Sequence, residues 1–163
     1  MERHDIMNES DEIRQLGRGA YWQQLEVGAR SKTFRRTVTE ADLVAFISAT
    51  GMLEVLFTDA TYTGAVSGRL VPAALTYSFI EGLIFQSAIQ GVGLALLEVN
   101  MKAVAPVRVG DTVWAVIETV SVRPTSKGNR AIVKSAVTVY NQRDETVLTY
   151  DVTRMLAGDP AQG

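Results

Sequence analysis

Acid–base and nucleophilic chemistry needs side chains that exchange protons near neutral pH, and this chain is short of them. It has no cysteine, which removes thiolate nucleophiles, disulfides and cysteine-held metals. Its one histidine is His4, in a polar N-terminal stretch where such a residue is read as solvated. A Ser-His pair, an imidazole base or a histidine-ligated metal therefore lacks its central residue, and no metal or other cofactor is expected. Carboxylates are left. Glu54 and Asp59 lie in MLEVLFTDATYTGAVSGR, residues 52–69, a connection long enough to suggest a function. Its start is apolar: Met52, Leu53, Val55, Leu56 and Phe57. A glutamate among apolar groups holds its proton to higher pH and can serve as acid or base. The plainer alternative for Glu54 is a solvated loop carboxylate, and for Asp59 a turn or helix cap. The apolar side chains have a plain reading too, as core or interface.

Two helices must position this segment. Before it, Thr39 can cap a helix, with Asp42 completing an approximate capping box and Glu40 near the positive helix end. Leu43, Phe46 and Ile47 supply its buried face, and Gly51 ends it. After it comes Leu70 to Leu97, with one charge, Glu81, in 28 residues. Val71, Ala74, Leu75, Ser78, Phe79, Gly82 and Ile89 share one side of a helix, while Leu83, Ile84 and Phe85 cover others. A helix apolar nearly all round is buried on most of its surface. Pro72, Glu81, Gln86, Ser87 and Gln90 interrupt the run, and Gly91 and Gly93 break it. These argue for a buried helix to about Gln90 followed by a strand, rather than for a membrane span. Pro72 falls near the first turn, where a missing N–H costs least. Thr76 and Ser78, inside a helix, are expected to bond back to the chain.

The rest of the chain supplies a wrapper for that helix. Residues 93–104, 112–122, 130–140 and 146–156 read as long strands joined by short turns, hence antiparallel neighbours. Residues 33–38 read as a shorter strand, after aromatic anchors at Tyr21 and Trp22. The expectation is an α+β fold in which a curved antiparallel sheet wraps a long buried central helix. A single sheet on one helix leaves strand edges open, which favours a dimer. One domain is expected over residues 18–157, with a polar arm at 1–17 and a frayed end at 158–163. The net charge of −2 and the lack of any run of more than two Lys/Arg argue against nucleic acid as a partner. The N-terminus has no apolar signal core, so a cytoplasmic location is expected.

Three motifs, in order, resemble the MaoC-like hydratases and dehydratases. Arg36-Thr37-Val38-Thr39-Glu40-Ala41-Asp42, preceded by Tyr21-Trp22-x-x-Leu25-x-Val27-Gly28, looks like their opening. Arg69-Leu70-Val71-Pro72-Ala73-Ala74-Leu75-Thr76 resembles the start of their central helix. Pro106-Val107-Arg108-Val109-Gly110-Asp111-Thr112 is similar to their turn before a long strand. The resemblance spans about residues 18–157. It implies a hotdog fold, usually dimeric, and an acyl thioester of coenzyme A or acyl carrier protein as substrate. The reaction it implies is reversible addition of water to a 2-enoyl thioester. Such chemistry needs an activated water, a proton for the α carbon, and donors for the thioester oxygen. The family pattern for the first two is Gly-Asp-x-Asn-Pro-x-His-x-Asp, and for the third backbone N–H groups at the start of the central helix.

Here the matching stretch is Gly51-Met52-Leu53-Glu54-Val55-Leu56-Phe57-Thr58-Asp59. Met52 and Phe57 stand where the resemblance places the catalytic Asp and His, and neither can exchange a proton. The family's His-Gly at the helix start is Pro72-Ala73. Two functional readings follow. The chain binds a hydrophobic acyl thioester, or a similar apolar ligand, without standard hydratase activity, using Met52, Phe57, Pro72, Ala73 and Ala74. It would do so as a homodimer or beside another hotdog subunit that carries the dyad. Alternatively it is an enzyme of altered chemistry, a lyase, isomerase or thioesterase, with Glu54 and Asp59 in place of the Asp/His pair. Arg108 and Tyr62 are read as surface and packing residues.

Overall fold

The computed structural model describes residues 16–64 and 66–162. His4 and nearly all of the expected N-terminal arm lie outside them. In chain order the elements are β1 (Arg30–Lys32), β2 (Arg36–Thr37), α1 (Glu40–Thr50), α2 (Val55–Thr58), β3 (Leu70–Val71), α3 (Ala73–Ser87), β4 (Gly93–Ala103), β5 (Val107–Arg108), β6 (Thr112–Pro124), β7 (Arg130–Tyr140) and β8 (Thr146–Ala157). Single 3-10 turns stand at Trp22–Gln24 and Pro160–Gln162.

The strand pattern of the second half becomes one antiparallel sheet in the order β1-β6-β7-β8-β4, with β2 also on β6. Ala131, Val133, Val137 and Val139 on β7 and Leu148, Tyr150, Val152 and Leu156 on β8 are buried and alternate with more exposed neighbours. That period of two puts one face of the sheet on the core. The register slips between Gly93 and Ala95, between Leu96 and Glu98, and between Thr119 and Ser121. Bulges of this kind bend a strand and increase its twist, so the sheet curls. Inside the curl lies α3, which buries Leu75, Thr76, Phe79, Ile80, Glu81 and Ile84. The α+β architecture expected from the sequence is thus present.

Local details differ from expectation in two places. Of the short strand read at 33–38 only Arg36–Thr37 is strand (β2), while β1 lies before it at Arg30–Lys32; between them the Thr33 hydroxyl accepts from the Ala115 N–H and the Thr33 N–H donates to the Ala115 carbonyl. The central helix starts at Ala73 and ends at Ser87, after which Val92 and Gly93 donate to the Ile89 carbonyl in a turn. At α1 the reading is met in detail. The Thr39 hydroxyl accepts from the Asp42 N–H at 3.2 Å, and an Asp42 oxygen accepts from the Thr39 N–H at 2.9 Å. Gly51 closes that helix at φ 72°, a left-handed conformation that favours glycine.

β4 is the odd strand. It pairs with β8 on one side only, and ten of its eleven residues are exposed, Leu94, Leu96, Leu97 and Met101 among them. Among the described residues no helix is long and apolar enough to cross a membrane.

Candidate functional site

α3 begins at Ala73 behind Pro72, whose extended backbone offers no side-chain cap. The Pro72 carbonyl already accepts from Leu75 and Thr76. The N–H groups of Ala73 and Ala74 have no acceptor among the described residues, and as first donors of a helix they have none within it. A cavity of about 230 Å³ opens at this end, with Ala73 and Thr76 on one wall, Ala103 and Val104 on another, and Val147 and Leu148 beneath. Thr76, which is 1 % exposed, lines this cavity, and its buried hydroxyl has no hydrogen-bond partner among the described residues. The back-bond expected of it is absent, although Ser78 makes the equivalent bond to the Ala74 carbonyl at 2.8 Å. A buried, unpaired hydroxyl costs about 1–3 kcal/mol. Together with two open N–H groups at the positive end of a helix dipole, it forms a donor cluster suited to a carbonyl or oxyanion oxygen.

The loop carboxylates are differently placed. Glu54 is exposed and caps α2, accepting from the Leu56 N–H at 2.7 Å. Asp59 is exposed and accepts from the Thr61 N–H and hydroxyl at 2.8 and 2.7 Å. The Thr61 hydroxyl, then its N–H, hold the Asp59 carboxyl below the usual carboxylate range. Met52 is 39 % exposed, while Phe57 is half-buried against the core. Arg69 ties this loop down. It donates to the Phe57 carbonyl and to both carboxylate oxygens of Glu40 at the start of α1. Phe57 is thereby brought near the chain that leads into Pro72, Ala73 and Ala74. None of residues 52–59 lines the Thr76 cavity. Arg108 donates to the Ser67 carbonyl at 2.9 Å, and Tyr62 is exposed.

Sequence reasoning passed over a second polar feature. Glu81 and Arg154 are each only 7 % exposed. Arg154 Nη2 donates to both Glu81 carboxylate oxygens at 2.6 Å, and the Tyr150 hydroxyl donates to Oε1 at 2.7 Å. Burial, then the neighbouring Glu81 charge, pushes the Tyr150 phenol far above its ordinary value, so it stays a donor. Tyr77 packs edge-on against Tyr150 with ring centroids 5.1 Å apart. The signal in the sequence was Glu81 itself, the one charge in the central apolar run.

The family model described as the FAS1-like dehydratase domain region matches residues 26–150. No curated protein matches this sequence. Among solved structures, the chain is similar to the R-hydratase PhaJ1 of Pseudomonas aeruginosa, with 24 % identity and a TM-score of 0.73 over 85 % of this chain and 86 % of that one. It is similar to a MaoC-like dehydratase from Rhodospirillum rubrum, at 22 % identity and a TM-score of 0.77 over 87 % and 99 % of the two chains. A double-hotdog protein of Mycobacterium tuberculosis gives 20 % identity and a TM-score of 0.79 over 90 % of this chain and 46 % of that one. These likenesses show the hotdog fold.

Proposed function

The chain belongs to the family of the FAS1-like dehydratase domain region, and from that premise we propose that it binds a hydrophobic acyl thioester without standard enoyl-thioester hydratase activity. The thioester oxygen sits on the Ala73 and Ala74 N–H groups and the Thr76 hydroxyl, and the apolar walls of the cavity take the adjoining carbons. The observation that carries this reading is the buried Thr76 hydroxyl, without a partner among the described residues, on a residue that lines an apolar cavity at an uncapped helix start. A side chain of that kind lowers stability unless something else accepts its hydrogen bond.

Hydration needs a group that activates water and one that carries a proton to the α carbon, and the chemistry of the lining speaks against either. The walls are Val, Ala, Pro, Leu and Thr, none of which titrates near neutral pH. Glu54 and Asp59 would have to leave the caps they hold before either could act. The same reading gives the open edge of β4 to a second hotdog subunit, another copy or one bearing the Asp/His pair. Support comes from its unpaired backbone edge and its exposed leucines, a combination that proteins otherwise cover or charge.

The test has two arms. Octanoyl-CoA is expected to bind saturably by calorimetry, with Thr76→Val weakening it roughly fivefold or more, the share of one hydrogen bond. Crotonyl-CoA and longer 2-enoyl-CoA thioesters are expected to show no hydration. Absence of thioester binding overturns the proposed site, and clear hydration overturns the claim about activity.

A further inference from the structure

β4 carries two charges, Glu98 and Lys102, and both are exposed. Neither forms an ion pair among the described residues, with Asp151 across the ladder or with any other group. They stand opposite Thr153 and Thr149 of β8, with Asn100 between them opposite Asp151. Val99, Met101 and Ala103 stand opposite the buried Val152, Tyr150 and Leu148. Residues 98, 100 and 102 therefore share the outer face of the sheet, and residues 99, 101 and 103 the inner one.

The backbone has a phase as well. The Val104 N–H donates to the Val147 carbonyl at 2.9 Å, which continues the register that sets Ala103 opposite Leu148. Bonded pairs alternate along an antiparallel ladder. Residues 98, 100 and 102 thus spend their N–H and C=O groups on β8, and those of Val99, Met101 and Ala103 point to the open edge. An antiparallel neighbour can bond only to these three.

When that neighbour is β4 of a second copy, a two-fold axis crosses the strand at one position, and the charges tell the choices apart. An axis at Glu98 sets Glu98 against itself, and one at Lys102 sets Lys102 against itself. An axis at Val99 or Met101 leaves a charge facing only Asn100. An axis at Asn100 sets Glu98 of each copy opposite Lys102 of the other, twice. Directly opposed unlike charges attract across a ladder and like ones repel. With Val99 and Met101 exchanging the backbone bonds, the charged residues fall in non-hydrogen-bonded pairs, where Cα atoms are about 4.5 Å apart and side chains are closest.

We propose that β4 takes a second copy of this chain, antiparallel about a two-fold axis at Asn100, and that Glu98 and Lys102 select both the partner and the register. The inference rests on the reading that gives the β4 edge to a second subunit, and it commits that edge to self-association. The interface is isologous, so one strand supplies both members of each charge pair. Met101, 42 % exposed in the single chain, then lies beside Val99 of the second copy on the inner face. A different subunit fits this edge only if it carries the opposite charges in the same order.

The charges can be exchanged between copies. The unaltered protein is expected to sediment as a dimer. Glu98→Lys and Lys102→Glu each turn both pairs into like charges, and each is expected to weaken the dimer roughly tenfold or more. Mixed in equal amounts, the two variants restore unlike charges at both positions and are expected to associate as tightly as the unaltered protein. Both sites are exposed, so the melting temperature of each variant's monomer reports that folding is intact. The chain has no cysteine, so one introduced thiol reads the register. Asn100→Cys puts two thiols across the axis, within the Cα range that a disulfide bridges, and is expected to cross-link on mild oxidation. Glu98→Cys and Lys102→Cys separate theirs by four residues, roughly 14 Å, and are expected not to. A dimer that does not cross-link at Asn100→Cys overturns the register, and one that also ignores both reversals overturns the reading of the edge as a subunit contact. A dimer that cross-links there but ignores both reversals overturns the selecting role of Glu98 and Lys102. An unaltered protein that sediments as a monomer overturns self-association and leaves the edge to a different subunit. None of these outcomes touches the thioester reading, which calorimetry tests separately.

Discussion

Glu54 and Glu81 are the same side chain in opposite surroundings. Glu54 lies in an exposed loop and spends an oxygen on the N–H two residues on. Glu81 lies on a buried helix, where an arginine and a tyrosine hold both of its oxygens. The loop is the stretch that resembles the family's Asp/His segment, yet its acids serve as solvated caps. The enclosed polar network lies instead on α3 and β8. Position in a family pattern says where a functional group could stand. Only burial gives that group an electrostatic role beyond what water allows it.

The largest expected effect tests whether Glu81 and Arg154 act as one unit. Glu81→Leu alone leaves a buried guanidinium without its counter-charge, and Arg154→Met alone leaves a buried carboxylate. Each is expected to cost about 3–5 kcal/mol, and the double variant to recover most of the loss. Urea unfolding of the three variants, read as shifts in midpoint at constant slope, measures this. Losses of the two singles that simply add in the double would mean that the residues are independent, and the contrast with Glu54 would fail.

A smaller effect of opposite sign is expected at Thr76. Thr76→Val removes an unpaired buried hydroxyl while keeping the shape of the side chain, so the free protein gains roughly 1 kcal/mol. The same change weakens thioester binding. Stability rising while affinity falls is the signature of a group retained for a ligand. A loss of stability instead would show that the hydroxyl has a partner inside the fold.

These two groups also mark how far the sequence could be read. The wrapped-helix architecture was legible because its signals are periodic and local. The apolar run after Leu70 had to be enclosed, the alternating stretches from Gly93 onward had to pair, and the Thr39–Asp42 box is written in four consecutive residues. Pro72 and Ala73 were legible as a helix start. Thr76 was not, because whether a helical threonine bonds back to its own chain depends on its rotamer, and Ser78 two residues on does so. The partners of Glu81 were hidden for a different reason. Tyr150 and Arg154 lie about seventy positions away, on a strand whose register against the helix no local pattern specifies. The true bounds of the strand read at 33–38 were likewise invisible, since they depend on where Thr33 meets Ala115 across the sheet.

The smallest expected effects lie in the loop, and they are where the comparison can be broken. Glu54→Gln keeps an acceptor for the Leu56 N–H and is expected to change stability by less than about 0.5 kcal/mol. Asp59→Asn is expected to act mainly on the acid side. The hydrogen bonds from Thr61 lower the folded-state pKa of Asp59, so its contribution is present above the ordinary aspartate value and is lost as pH falls through the lowered one. The melting temperature of the unaltered protein should therefore fall more steeply than that of the variant below about pH 4. The two curves should run parallel at neutral pH. If Glu54→Gln instead abolished thioester binding or turnover with the melting temperature unchanged, the loop glutamate would be acting on a ligand. The functional carboxylate would then be the exposed one.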